Sequence, residues 1–163
     1  QFRNVDMTTV KADVESGGFL FKNGFRRLSG FVAAVLTAAD IATGTVRRHP
    51  DIPWVKGPRD VERLAALQLE LAEAAARWLA PGGRLVVCTC SLEPEEGEGL
   101  AAAIARARPE LAPDPVRPDE ASGIAPFVTE AGHLRTLPGG PAEPTGGRFD
   151  LDGFFAARFV RRG

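Results

Sequence analysis

Leu79-Ala80-Pro81-Gly82-Gly83-Arg84-Leu85-Val86-Val87-Cys88-Thr89 is the stretch that decides the fold. Proline and two glycines stop what precedes them and turn the chain, and a β-branched run of the buried-strand type follows at once. Upstream, Val61, Leu64, Leu67, Leu71, Ala74, Ala75 and Trp78 recur at helical spacing, with Pro58 ahead of them and Asp60 placed to cap. Downstream, Glu93-Pro94-Glu95-Glu96-Gly97-Glu98 sets four carboxylates before a second helix, Leu100 to Ala107, where the helix dipole favours them. Helix, turn, buried strand and helix together predict an α/β layered domain.

Further out the pattern loosens. Residues 31 to 42 are apolar and alanine-rich, which fits either a helix or a buried strand ending near Thr37. Gly44 to Pro58 carries three prolines and two glycines and reads as a loop. Pro109 to Gly147 reads as a long connection with minor strands around Leu134 to Leu137, and Gly153 to Val160 as a final strand. Residues 1–30 form a separate N-terminal segment, in which Asn23-Gly24 between two apolar runs predicts a hairpin; residues 31–163 form the α/β unit.

Composition narrows the function. The 163 residues are 44% hydrophobic, enough for a core and too apolar for a disordered chain. Lys+Arg 20 against Asp+Glu 21 gives no global positive field, so nucleic acid would have to meet a local patch. Arg47, Arg48, Lys56 and Arg59 are either such an RNA-phosphate strip or ordinary solvated loop charge. The longest mostly apolar stretch, Leu64 to Leu79, is broken by Gln68, Glu70, Glu73 and Arg77, which excludes it as a membrane span. Cys88 and Cys90, two apart with no histidine near, give neither a disulfide framework nor zinc spacing, so no metal is expected. Two reduced thiols and no leader-like stretch lead to the expectation of a cytoplasmic protein.

Val87-Cys88-Thr89-Cys90-Ser91-Leu92-Glu93-Pro94-Glu95-Glu96 resembles the Thr-Cys-Ser motif and following acidic helix of the RsmB/Nop2/Sun family of S-adenosylmethionine-dependent RNA cytosine-C5 methyltransferases. Ala42-Thr43-Gly44-Thr45-Val46-Arg47-Arg48-His49-Pro50-Asp51, Leu67-Gln68, Leu134 to Pro138 and Asp152 to Ala157 agree with that family in order and spacing. The resemblance implies the C-terminal part of a Rossmann-like methyltransferase sheet with flanking helices, S-adenosylmethionine as cofactor and RNA, ribosomal RNA in particular, as substrate. It makes Cys90 the nucleophile on cytosine carbon 6. A thiolate adding there turns an unreactive ring into an enamine-like species nucleophilic at carbon 5. Cys90 follows the C-terminal end of a strand, where open α/β sheets place ligands, and precedes a helix start that favours a thiolate; four glutamates oppose it, and the net sign stays open. Cys88, two residues earlier, reads as a core residue, and His49, in a loop before Pro50, as either a structural contact or a catalytic base.

Two departures from the family bear on activity. The family aspartate expected before Ala42-Thr43-Gly44 falls on Thr37 and the cysteine of the same motif on Asp40, so neither role transfers. No glycine-rich cofactor loop precedes residue 31, and Val10-Lys11-Ala12-Asp13 offers only a faint match, through Asp13, to a segment near the adenine. The expectation is a portion of such an enzyme with little activity by itself. The alternatives are a non-catalytic RNA-binding remnant and a protein-interaction module.

Overall fold

The computed structural model describes residues 40–140 and 151–163, and the backbone of a strand, β1, at Ala33–Thr37. The expected hairpin and Asp13 lie outside the described residues, as does the side chain of Thr37. The ambiguous apolar run thus contains a strand. β1 pairs in parallel with β2, Arg84–Thr89, in a register from Ala33 against Arg84 to Thr37 against Cys88. Pairing with a neighbour overrides the helix propensity of its alanines.

Between β1 and β2 the chain forms a 3-10 turn at Thr43–Thr45, a short helix α1 at Ile52–Val55 and the long helix α2 at Pro58–Arg77. Sequence reasoning made all of Gly44 to Pro58 a loop; α1 forms because Pro53 falls in its first turn, where a missing N–H breaks no bond. Asp60 does cap α2, but from inside: Gly57 is the capping residue, and its N–H donates to Asp60 Oδ2 at 3.1 Å. α2 buries Leu71, Ala72 and Ala74 to Ala76 in the core with the sheet, Leu64 in a smaller cluster with Ile41 and Ile52, and Gln68 between the two. Trp78 leaves that apolar face, ends the helix and stays 45% exposed.

After β2 comes α3, Glu98–Ala107, then β3 (Leu111–Pro113), β4 (Leu134–Thr136) and β5 (Phe154–Arg161). The strand order is β1-β2-β5-β3, with β4 also on β5, and β5 runs antiparallel to β2, β3 and β4. The last strand therefore inserts between β2 and β3 and reverses the sheet direction. Its Phe155, Ala157 and Phe159 close a core with Leu71, Leu79, Leu85, Val87, Leu100 and Ile104. The long connection is pinned to β5 by Arg158, which pairs with Asp114 at 3.0 Å and Glu120 at 2.8 Å. That guanidinium and the Arg117 N–H hold the Glu120 carboxyl down to about 2.

Candidate active site

Three segments from distant parts of the chain meet at the C-terminal end of β2. The Cys90 carbonyl accepts the Gly44 N–H at 2.8 Å, and the Gly44 carbonyl accepts the Gly153 N–H at 2.8 Å. Thr43 Oγ1 accepts the Leu92 N–H at 2.8 Å, which ties the Ala-Thr-Gly turn to the Cys-Ser-Leu loop a second time. Ala42 enters this turn with φ 58°, and its carbonyl takes both the N–H and the hydroxyl of Thr45. Gly44 is required by contact: a Cβ there would stand 2.4 Å from the Gly153 oxygen and 2.5 Å from the Cys90 oxygen, both backbone atoms. Gly44→Ala is expected to cost about 1–3 kcal/mol in urea unfolding, the range for forcing an atom into a packed site, and to displace Cys90.

Cys90 is half-buried at this junction. Asp40 Oδ2 accepts the Cys90 N–H and, at 2.6 Å, the Thr89 hydroxyl, so the chain leaving β1 is fastened to the thiol's own backbone. Burial pushes the Cys90 thiol up, the Asp40 carboxylate pushes it further, and Arg48 pulls it back. The sequence left the sign of this shift open between a helix N-terminus and four glutamates. Both sit elsewhere: α3 begins at Glu98, and the carboxylates acting on the thiol are Asp40 and Asp152. Cys88, expected in the core, is only half-buried, because alternation in β2 sends Leu85, Val87 and Thr89 inward instead. Its thiol is pushed up to about 11 by burial and by Cys90 and Asp40. Asp40→Asn is expected to lower the midpoint pH of Cys90 alkylation by iodoacetamide and to leave Cys88 slow, as peptide mass spectrometry after timed quenching would show.

The acidic turn after Ser91 holds a residue that sequence reasoning did not separate from its neighbours. Glu96 is 1% exposed; its carboxylate accepts Gln68 Nε2 at 2.8 Å and the Ile41 N–H at 3.2 Å. It links α2, the turn after Ser91 and the segment carrying Asp40. Arg135 on β4 adds a brace: it donates to the Ser91 carbonyl at 3.0 Å, pairs with Glu98 at 2.6 Å and lies 4.7 Å over the Phe155 ring.

The four expected cations do not act alike. Arg47 and Arg48, both more than half exposed, reach back to Asp152, Arg47 at 3.6 Å. Lys56 and Arg59 are exposed and make no ion pair with a described residue; Lys56 lines a cavity of about 360 Å³ with Ile41, Thr43, Pro53, Glu93 and Glu95. His49 is exposed in the loop, its N–H on the Thr45 carbonyl. Asp152 was missed; its place directly before Gly153, whose close approach fixes it beside Arg48, is visible only in three dimensions. Among the described residues no group of His, Cys, Asp and Glu is placed to hold a metal ion, and no helix is long and apolar enough to cross a membrane.

A cofactor cradle would need an open glycine loop at the C-terminal ends of the strands. Gly82 and Gly83 stand at the other end of β2, and Gly44 and Gly153 are packed backbone to backbone. The described residues therefore do not form a cradle for S-adenosylmethionine, and they account for the thiol's part of the site only.

A parallel pair of strands, a reversed last strand inserted beside them and a loop after β2 facing that reversal define part of a Rossmann-like methyltransferase fold. The crystal structure of NSun6 from Pyrococcus horikoshii with SFG shares it at a TM-score of 0.57 and 23% identity, over 79% of this chain and 29% of that one. A family model for 16S rRNA methyltransferase RsmB/F matches residues 5–160, and the chain belongs to that family, whose methyltransferases use S-adenosylmethionine. Ribosomal RNA small subunit methyltransferase B of Thermus thermophilus is 41% identical over 127 residues, covering 78% of this chain and 28% of that protein. The protein of the same name from Klebsiella pneumoniae is 34% identical over 163 residues, 99% of this chain and 33% of its own. The chain spans about a third of the length of the curated relatives it matches.

Proposed function

We propose that this chain carries the pyrimidine-activating part of an S-adenosylmethionine-dependent RNA cytosine-C5 methyltransferase acting on small-subunit ribosomal RNA, with Cys90 as the nucleophile. The observation that carries the reading is the half-buried thiol at the C-terminal end of β2, fastened through its backbone to Asp40 and Gly44. A thiolate there adds to carbon 6 of a cytosine; the electron pair of the 5,6 double bond moves to carbon 5, which takes up an electrophile. In this family the electrophile is the methyl group of S-adenosylmethionine. Without it, carbon 5 takes a proton from water, then loses one, and the thiolate leaves as the double bond re-forms.

That exchange isolates the chemistry of the described residues. Release of tritium from RNA containing [5-³H]cytidine, with no cofactor present, tests the addition to carbon 6; release with S-adenosylmethionine and small-subunit rRNA, together with methyl incorporation, tests the full activity. A second reading, a non-catalytic RNA-binding member of the family, draws on burial and Asp40 both raising the thiol, against the pull of Arg48, which disfavours the nucleophilic thiolate. RNA binding with no tritium release under either condition selects it.

A further inference from the structure

We propose that Trp54 is a stacking platform for an unpaired nucleotide beside the target cytidine, a reading that rests on the RNA substrate proposed above. Trp54 is 89% exposed, the most open of the large apolar side chains among the described residues. It is presented on a fixed support. Ile52, 8% exposed, anchors α1 in a small apolar cluster with Ile41 and Leu64, and the Trp54 N–H bonds the Asp51 carbonyl at 2.9 Å. An indole held out by an anchored turn loses little freedom when a flat ring lands on it.

Charge around it names the occupant. Residues 47 to 63 carry five cations, Arg47, Arg48, Lys56, Arg59 and Arg63, against Asp51, Asp60 and Glu62; Arg47 and Arg48 are paired with Asp152, and Glu62, Glu93 and Glu95 line the cavity beside Lys56. Asp60 is already engaged by Gly57 and Arg63, whereas exposed Lys56 and Arg59 make no ion pair with a described residue. An exposed aromatic face with two exposed cations, Lys56 and Arg59, close by in the chain is the pairing that single-stranded nucleic acid uses, bases on the ring and phosphates on the cations. The platform is also continuous with the thiol site: Pro53 and Lys56 share a cavity with Thr43, and Thr43 holds the Leu92 N–H of the Cys90 loop. On the other side, Arg48 pairs with Asp152, whose charge acts on Cys90.

The chain has two tryptophans, so Trp78→Phe leaves Trp54 as the sole emitter. Titration of that variant with an unstructured cytosine-containing oligoribonucleotide is expected to quench its fluorescence. Trp54→Ala is expected to weaken binding about five- to a hundredfold, the range for losing one base–aromatic stack. The slope of log affinity against log salt should stay unchanged, because the phosphate contacts remain, and Trp54→Phe should recover part of the loss. Absence of quenching, or full affinity in Trp54→Ala, overturns the proposal. So does self-association without RNA that Trp54→Ala abolishes, which would make the indole a protein contact. Quenching without tritium release keeps the platform and removes the methyltransferase reading; tritium release with an unquenched Trp54 does the reverse.

Discussion

Cys90→Ala is expected to lower tritium release from [5-³H]cytidine RNA by at least about a thousandfold, the scale on which removal of a covalent nucleophile acts. Nothing else at the junction replaces it. Cys88 lies within β2, on the face away from buried Leu85 and Val87, and a thiol at about 11 is ionised to about one part in ten thousand at neutral pH. Cys88→Ala should therefore leave release within about twofold. The loss in Cys90→Ala would not reflect unfolding, since the loop is held by the backbone N–H and carbonyl of residue 90, which alanine keeps. The pH dependence follows from the direction of the shift. Burial and Asp40 raise the Cys90 thiol, so the thiolate fraction, and with it the release rate, climbs with pH through and beyond the range of an ordinary cysteine. In Asp40→Asn the climb should move to lower pH. Release that survives in Cys90→Ala would remove the sulfur from the mechanism.

The parts of this site legible in the sequence are those set by local pattern. The stop at Pro81-Gly82-Gly83 and the β-branched run after it fix β2, and β2 fixes where Cys90 emerges. The α2 stripe was legible for the same reason, though Gln68, which the sequence offers only as a break in the apolar run, is buried as well. Where two local readings were equal, at residues 31 to 42, only pairing with β2 separates strand from helix. Contacts between distant segments left no trace in spacing. Four glutamates within six positions look alike in the chain, yet only Glu96 turns inward, because Gln68 and Ile41 are there to donate to it. Asp40, which takes the alignment position of a family cysteine, is a fastening for Cys90 because β1 ends beside β2.

Glu96→Ala is expected to be the most destabilising single change at the junction, at about 3 kcal/mol in urea unfolding at pH 5. The carboxylate is 1% exposed, and its removal strands the Ile41 N–H and the Gln68 amide in a site water does not reach. Each buried donor left without an acceptor costs about 1–3 kcal/mol. Burial is the largest influence on Glu96 and raises its pKa, against hydrogen bonds from Ser91, Ile41 and Gln68 that lower it. With the folded value above the unfolded one, the group's stabilisation is fully present below the unfolded value and is lost as pH rises through the folded value. Glu96→Gln has no such proton to lose. It keeps an oxygen for Gln68 but sets an N–H₂ against the Ile41 N–H, so it should be less stable than the parent at pH 5 and closer to it at pH 8. Loosening Ile41 also loosens Asp40, the next residue, and so frees the backbone of Cys90. Iodoacetamide alkylation of Cys90 in Glu96→Gln should therefore speed up under conditions where the protein remains folded. A Glu96→Ala protein within about 0.5 kcal/mol of the parent, the usual range for a surface change, would mean that the carboxylate holds nothing and that the loop carrying Cys90 is positioned without it.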